Sequence, residues 1–363
     1  SPDETKLDHI GPDEIRPVSG QPIAADARAV AVPSGRVSRL ARMGGLAAQV
    51  AGSAVVGGVQ ALSQGHRPQL RDLLLTPANA RRLTEELARM RGAAMKMGQL
   101  LSMEASDLLP PELAEILARL RAEAYIMPPG QLKRVLEQAY GKGFLKGFKR
   151  LDPHPVAAAS IGQVHRAETR DGRVLALKIQ YPCVRGAIDA DVANLGTLLR
   201  VSGLLPKGFE LAPFLEEARR QLHEEADYAR EARELARFHG LLADRADVVL
   251  PAVHSDYCTD AILAMDFIES DGIETLEHAT QERRDAVMTR MFDIFLHEAL
   301  LWRVVQTDPN FANFRYQPDS GRLVLLDFGA ARPVPPAFAA TCRDLLVAGL
   351  EKDQDAIERG LQA

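Results

Sequence analysis

Two short runs in the second half of the chain carry residue types that handle magnesium and phosphate. Asp308 and Asn313 are separated by four residues in Thr307-Asp308-Pro309-Asn310-Phe311-Ala312-Asn313-Phe314, and Asp327-Phe328-Gly329 begins fourteen residues after Asn313. Magnesium is a hard cation that takes oxygen ligands and bridges nucleotide phosphates, so a carboxylate from Asp327 and an amide oxygen from Asn313, arriving from two loops, suit it. Asp308 is of the right type to orient or deprotonate an attacking hydroxyl or water. An isolated Asp-Phe-Gly occurs often by chance; the ordered pair at this spacing is specific.

The same order, Asp-x4-Asn and then Asp-Phe-Gly, is used by protein-kinase-like enzymes. Such a centre also needs a lysine on a hairpin strand, and Val174-Leu175-Ala176-Leu177-Lys178-Ile179 offers Lys178 in an otherwise apolar run. The alternative is a strand-edge lysine with its ammonium in water, but with Asp327 downstream the phosphate-contacting role is favoured. Acidic partners are available in Glu224-Glu225-Ala226-Asp227-Tyr228-Ala229-Arg230-Glu231. On a continuous helix Asp227 and Glu231 share a face and Glu225 lies on another, so two faces could serve two lysines. A merely solvated acidic face is the plainer reading of that run.

Two further features stand out. Ahead of the first hairpin strand lies Ala157-Ala158-Ala159-Ser160-Ile161-Gly162-Gln163, where a phosphate-covering loop would be glycine-rich. Alanine largely forbids the positive φ that lets backbone amides cradle phosphate, so a nucleotide must be held differently there. In Lys96-Met97-Gly98-Gln99, Lys96 and Gln99 fall on one helical face, and Gly98 costs the helix about 1 kcal/mol. A helix that accepts this cost points to a close approach at Gly98.

Periodicity places these residues on elements. After the cap Thr76-Pro77, Leu83, Leu87, Met90, Ala94, Met97 and Leu101 recur at helical spacing. Pro110-Pro111 restarts a helix carrying Leu113, Ile116, Leu117 and Leu120, and another runs from Pro129 to Tyr140, stopping at Gly141. The pattern changes near Leu151. Val164–Thr169 and Arg173–Gln180 read as strands joined through Arg170-Asp171-Gly172, followed by helices over 186–200 and 210–240. Val248–Val253 and Ala261–Ile268 are expected strands, Glu282–Val304 a helix, and Leu323–Leu326 a short buried strand. The order describes a two-lobed α+β enzyme.

Composition narrows the class. The 363 residues include 44 Lys+Arg against 49 Asp+Glu, a net charge of −5, which argues against nucleic acid as a partner. Cys183, Cys258 and Cys342 are far apart with no metal spacing, which fits a reducing compartment and excludes a disulfide scaffold. Residues 1–35, with five prolines among charges, read as a mobile leader. From Met43 to Gly65 no residue is charged, glycine, alanine and valine dominate, and arginines flank the run. It suits either close packing on protein or peripheral contact with a membrane surface, and a true span less well because its apolar strength is low.

Together these runs resemble the UbiB family of atypical, kinase-like proteins, whose mitochondrial members support coenzyme Q synthesis. The matching residues are Lys96-Met97-Gly98-Gln99 (the family's KxGQ), the alanine-rich run through His165, Lys178, Glu225-Ala226-Asp227 (its ExD), the Asp308–Asn313 loop and Asp327-Phe328-Gly329, over about residues 36–345. The resemblance implies a leader over 1–35, a helical extension over 36–150, a kinase-like N-lobe over 151–268 and a partial C-lobe over 269–363. Only 34 residues follow Gly329, so that lobe is expected to be short, and the C-terminal membrane helices of some bacterial members are not in the sequence. The implied ligands are ATP or ADP with Mg2+. Ala157, Ala158, Ala159, Ser160, Lys178, Met265 and Phe267 would contact the nucleotide, Asn313 and Asp327 would ligate the metal, and Asp308 would hold the catalytic-aspartate position. Gln306-Thr307 stands where ordinary kinases have His-Arg. Lys96 and Gln99 would lie against Glu225 and Asp227, leaving Glu231 to Lys178. A helical extension folded over the site would keep protein substrates out, so the implied activity is ATP hydrolysis supporting ubiquinone biosynthesis. The alternatives are a true protein or small-molecule kinase and a nucleotide-switched lipid-binding scaffold. Implied partners are a lipid or quinone precursor and ubiquinone-biosynthesis enzymes. The implied location is the cytoplasmic face of a bacterial inner membrane or the matrix side of the mitochondrial one.

Overall fold

In Val174–Gln180 the side chains of Leu175, Leu177 and Ile179 are fully buried on one face, and Ala176, Lys178 and Gln180 occupy the other. This is the period-two pattern of a strand covered on both sides. The computed structural model describes residues 28–29, 87, 90–104, 125–201, 205–206, 208–308 and 310–362. Most of the expected leader, the small-residue segment at 43–65 and the helix begun by Pro110-Pro111 lie outside the described residues.

In chain order the first part comprises α1 (Arg91–Glu104), α2 (Pro129–Tyr140), β1 (Phe148–Leu151), β2 (Ala157–Ala158), β3 (Gly162–Thr169), β4 (Val174–Gln180), α3 (Val184–Val201), α4 (Ala212–Glu225), α5 (Tyr228–Leu241), β5 (Val248–Val249) and β6 (Ile262–Asp266). Strands β1-β3-β4-β6 form an antiparallel sheet, with β2 also pairing β3. Gly162 permits the tight β3–β4 contact, because a Cβ there would sit 2.4 Å from the Ile179 carbonyl oxygen. One sheet face is covered by Leu132, Val135 and Leu136 of α2. The other meets α1, α3 and α4, where Met97, Leu101, Val192, Leu195 and Leu222 pack beneath Val164, Ala176 and Met265. Each buried leucine, valine or methionine of this core stabilises the fold by roughly 1.5–3 kcal/mol on burial.

The second part holds β7 (Asp271–Gly272), α6 (Gln281–Leu296), β8 (Val304–Gln306), β9 (Phe314–Tyr316), β10 (Leu323–Leu325), β11 (Ala331–Pro333), α7 (Pro336–Glu351) and α8 (Gln354–Leu361). Its sheet runs β5-β10-β9-β7, and β8 pairs with β11. Helix α5 joins the lobes: Tyr228 belongs to the first core, whereas Leu235 and Phe238 are buried in the second with Val304, Leu323 and Phe328.

Two expected helices are interrupted. The helix read over 210–240 is two, because Asp227 leaves the helical region (φ −90°, ψ 81°) and caps α5 by accepting from the Arg230 amide. Gln180 holds the break against the sheet by donating to the Ala226 carbonyl at 2.8 Å. The helix read over 282–304 ends at Leu296, continues as one π-helical turn over His297–Trp302, and stops where Arg303 adopts φ 55°. That turn frees Val304–Gln306 to pair with Ala331–Pro333. Among the described residues no helix is long and apolar enough to cross a membrane.

Candidate functional site

The site lies between the sheet and α5, where alternation along β4 turns Lys178 toward the helix. Its ammonium donates to both Glu231 oxygens, at 2.8 and 2.9 Å, and to Asp327 Oδ2 at 3.2 Å. It stands 5.6 Å above the Tyr228 ring. Burial works against the charge on Lys178, but Asp327 and Glu231 outweigh it and hold the ammonium well above its ordinary pKa. Glu231 is only 4% exposed. Burial is the main reason its carboxyl is pushed up to about 7; Lys178 opposes the rise and Asp327 adds to it. Asp327, at 34% exposure, faces the cleft. Desolvation would raise it too, yet Lys178 and the Gly329 amide keep it below the usual carboxylate value.

A second ion pair stands beside the first. Lys96 of α1 meets the Glu225 carboxylate at the end of α4, and Ser160 donates to the same carboxylate. The expected alanine loop is therefore a β-hairpin arm: Ala157 and Ala158 pair with Val164 and Gln163, Ala159 N donates to Gly162 O, and Ser160 at the turn is tied to Glu225. None of these alanines needs positive φ. On α1 a close approach is seen at Gly92, where a Cβ would lie 3.2 Å from the Ser160 carbonyl oxygen. Gln99 is half-buried on α1. Asp227 does not join Lys96, because its carboxylate is committed to the α5 cap, with Arg233 3.9 Å away. Met265 is buried on the Lys178 face of the sheet, and Phe267 carries the Arg166 guanidinium 5.1 Å from its ring centre.

Asp308, Asn313 and Asp327 are brought together by a ring of hydrogen bonds. Asn313 Nδ2 donates to Asp308 Oδ2 at 3.0 Å, and the Leu326 amide donates to the Asn313 carbonyl at 3.2 Å, so Asn313 and Asp327 leave adjacent strands side by side. Gln306 closes the ring: its Nε2 donates to the Asp327 carbonyl, and its Oε1 accepts from the Asp308 amide at 3.2 Å. The Gln306 amide in turn donates to Glu298 on the π turn, at 3.1 Å. Burial pushes that carboxyl up to about 7. Sequence reading missed Glu298 and the bridging role of Gln306. A lone acid amid Ala299-Leu300-Leu301-Trp302 was the available signal.

The donor set fits magnesium. Two lysines face the three carboxylates of Glu225, Glu231 and Asp327, an acidic excess that a cation would balance. Among the described residues no group of three or more His, Cys, Asp or Glu side chains could hold a metal by itself. A magnesium ion at Asp327 and Asn313 would thus draw its other oxygens from phosphate and water, its usual habit.

A lysine fixed by a helix carboxylate, above an Asp-x4-Asn loop and Asp-Phe-Gly, is the arrangement of a kinase fold, and residues 119–361 match the ABC1 atypical kinase-like domain. The chain belongs to the ABC1 (UbiB) family of atypical kinases. It is 41% identical to the mitochondrial atypical kinase COQ8 of Saccharomyces cerevisiae over 91% of its own length and 66% of that protein. It is 38% identical to the mitochondrial atypical kinase coq-8 of Caenorhabditis elegans over 90% of its own length and 44% of that protein. For the rat mitochondrial COQ8B the identity is 37%, over 90% and 62%. The chain thus spans about half to two thirds of the length of these relatives. Among solved structures, Rv3197 of Mycobacterium tuberculosis, determined in complex with erythromycin, is 29% identical with a TM-score of 0.55, covering 78% of this chain and 72% of that one. The ABC1-family chain has a mixed helix-and-sheet kinase-like fold in which the Lys96–Glu225 pair stands near the contacts of Lys178 with Glu231 and Asp327.

Proposed function

We propose that this ABC1-family protein binds magnesium and ATP or ADP in the cleft beneath β3 and β4 and hydrolyses ATP in support of ubiquinone biosynthesis at a membrane surface. The observation that carries the reading is the three-way contact of Lys178 with Glu231 and Asp327. A lysine so placed is pre-oriented for phosphate oxygens, and its charge is maintained by both carboxylates. Magnesium, when bound, neutralises charge on the phosphates. Asp327 and Asn313 would hold it, and Asp308, oriented by Asn313, would position the attacking water. Ser160 and the hairpin arm would cover the phosphates in place of a glycine loop, with Val164, Ala176, Met265 and Phe267 toward the base. Hydrolysis is favoured over transfer to a protein because Lys96 anchors α1 against Glu225 and packs it on the Ser160 turn, ground a protein substrate would need. The role in ubiquinone biosynthesis rests on the COQ8 relatives. The uncharged run at 43–65, flanked by arginines, supports peripheral membrane contact and a lipid or quinone-precursor ligand.

Magnesium-dependent ATP hydrolysis, measured with and without anionic liposomes beside Asp327→Asn, tests the reading. Hydrolysis that the liposomes stimulate and the substitution abolishes is expected. Activity indifferent to Asp327→Asn defeats the site assignment. Nucleotide binding without hydrolysis would favour a switch or scaffold instead.

A further inference from the structure

Arg230 follows the cap of α5 and precedes Glu231, yet it points to neither lysine. Its guanidinium donates to the Gly329 carbonyl at 2.7 Å and the Ala331 carbonyl at 2.8 Å. Those oxygens belong to the chain leaving Asp327, so one turn of α5 grips both carboxylate partners of Lys178. Glu231 is itself a residue of that turn, and Asp327 is held through the backbone that follows it.

Several contacts converge on the same grip. The Asp227 carboxylate accepts from the Arg230 amide at 2.9 Å, fixing where the arginine leaves the helix. Asp327 Oδ1 accepts from the Gly329 amide at 2.8 Å, so the carbonyl that Arg230 holds belongs to the residue whose N–H orients the carboxylate. A Cβ on Gly329 would stand 3.2 Å from Asp327 Oδ1 and 3.5 Å from Glu231 Oε2, leaving the segment little slack against α5. Phe328 packs on Phe238 of the same helix, with ring centres 4.4 Å apart. Arg332 reaches Glu224 of α4 at 3.0 Å and pins the strand once more. A planar fork can span two carbonyl oxygens two residues apart, which a lysine's single ammonium does not reproduce.

We propose that Arg230 is a positioning residue for Asp327: bound to the Gly329 and Ala331 carbonyls and registered by the Asp227 cap, it holds the metal-binding carboxylate against Lys178 at a fixed distance from Glu231. The inference rests on the proposed Mg-nucleotide site. It gives the ExD aspartate, Asp227, a task away from the reacting atoms.

Binding of a fluorescent N-methylanthraniloyl ATP analogue, measured in EDTA and across a magnesium titration, tests it in wild type, Arg230→Lys and Arg230→Met, with thermal unfolding in EDTA as the folding control. The expected result is a half-saturating magnesium concentration raised about tenfold or more in both variants, with metal-free nucleotide affinity held within about twofold. An unchanged magnesium requirement overturns the inference, as does full rescue by lysine, which would reduce the effect to charge. Equal losses of metal-free and magnesium-dependent binding, in step with lowered thermal stability, overturn it in favour of a purely structural role. Should Arg230→Met fail to fold, Arg230→Lys decides alone. Wild-type protein that binds nucleotide equally with and without magnesium defeats the proposed function itself, and this inference with it.

Discussion

Replacing Glu231 with glutamine should stabilise the nucleotide-free protein while weakening its grip on nucleotide. Glu231 is 4% exposed, and its carboxyl is raised from an ordinary 4.5 to about 7, chiefly by burial. A shift of about 2.5 units corresponds to roughly 3 kcal/mol between its ionised and neutral forms. From pH 4.5 to 7 the native state keeps a proton that the unfolded chain has released, so this group lowers stability as pH rises and the loss levels off above pH 7. Glutamine keeps the shape and removes the charge, and Lys178 retains Asp327 at 3.2 Å. Glu231→Gln should therefore gain up to about 3 kcal/mol at pH 8 and about 1 kcal/mol or less at pH 5, read from urea unfolding in EDTA. The same variant should lose magnesium-dependent nucleotide binding, because Lys178 is no longer gripped from two sides. Should Glu231→Gln instead be 3–5 kcal/mol less stable at pH 8, the pair is a net structural ion bridge and the reasoning fails.

Other consequences follow from the same packing. His165 is fully buried between Gln163 and the Asp152 carbonyl, and burial lowers its pKa to about 4. Its folded form resists protonation, so as pH falls from 6.5 towards 4 it should cost the protein up to about 3 kcal/mol; His165→Gln should be less stable at pH 7 but show a shallower acid limb in urea unfolding, and parallel pH profiles would contradict this. Gly162→Ala drives a Cβ to 2.4 Å from the Ile179 carbonyl oxygen, so it should lower stability by about 1–3 kcal/mol in thermal unfolding. A neutral Gly162→Ala would mean that β3 and β4 can part at no cost.

Much of the site was legible because its residues obey local rules. The strand that carries Lys178 announces itself by alternation, since a sheet covered on both faces needs apolar groups at every second position. Asp308, Asn313 and Asp327 are readable from type and spacing, because two short loops sit at the ends of one hairpin. The acidic run at 224–231 was harder. Read as one helix it puts Asp227 with Glu231, but an aspartate is also a helix cap, and nothing nearby in sequence decides between the two. The alanine run misled in the same way: three alanines cannot cradle phosphate through positive φ, but they can pair as a strand.

Residue type, period and spacing along the chain were enough to read the two-lobed α+β class, the family and a set of candidate site residues. Which of those candidates meet depends on packing between elements far apart in the chain. Glu231 rather than Glu225 or Asp227 holds Lys178, because the break at Ala226–Asp227 rotates α5 away from the line of α4. Glu225 is left at the end of α4, where Lys96 and Ser160 reach it. Arg230 left no mark in the sequence, since its partners are backbone carbonyls 99 and 101 residues downstream, and a carbonyl carries no side-chain signature. Only the packing of α5 on the strand leaving Asp327 brings that fork to its oxygens.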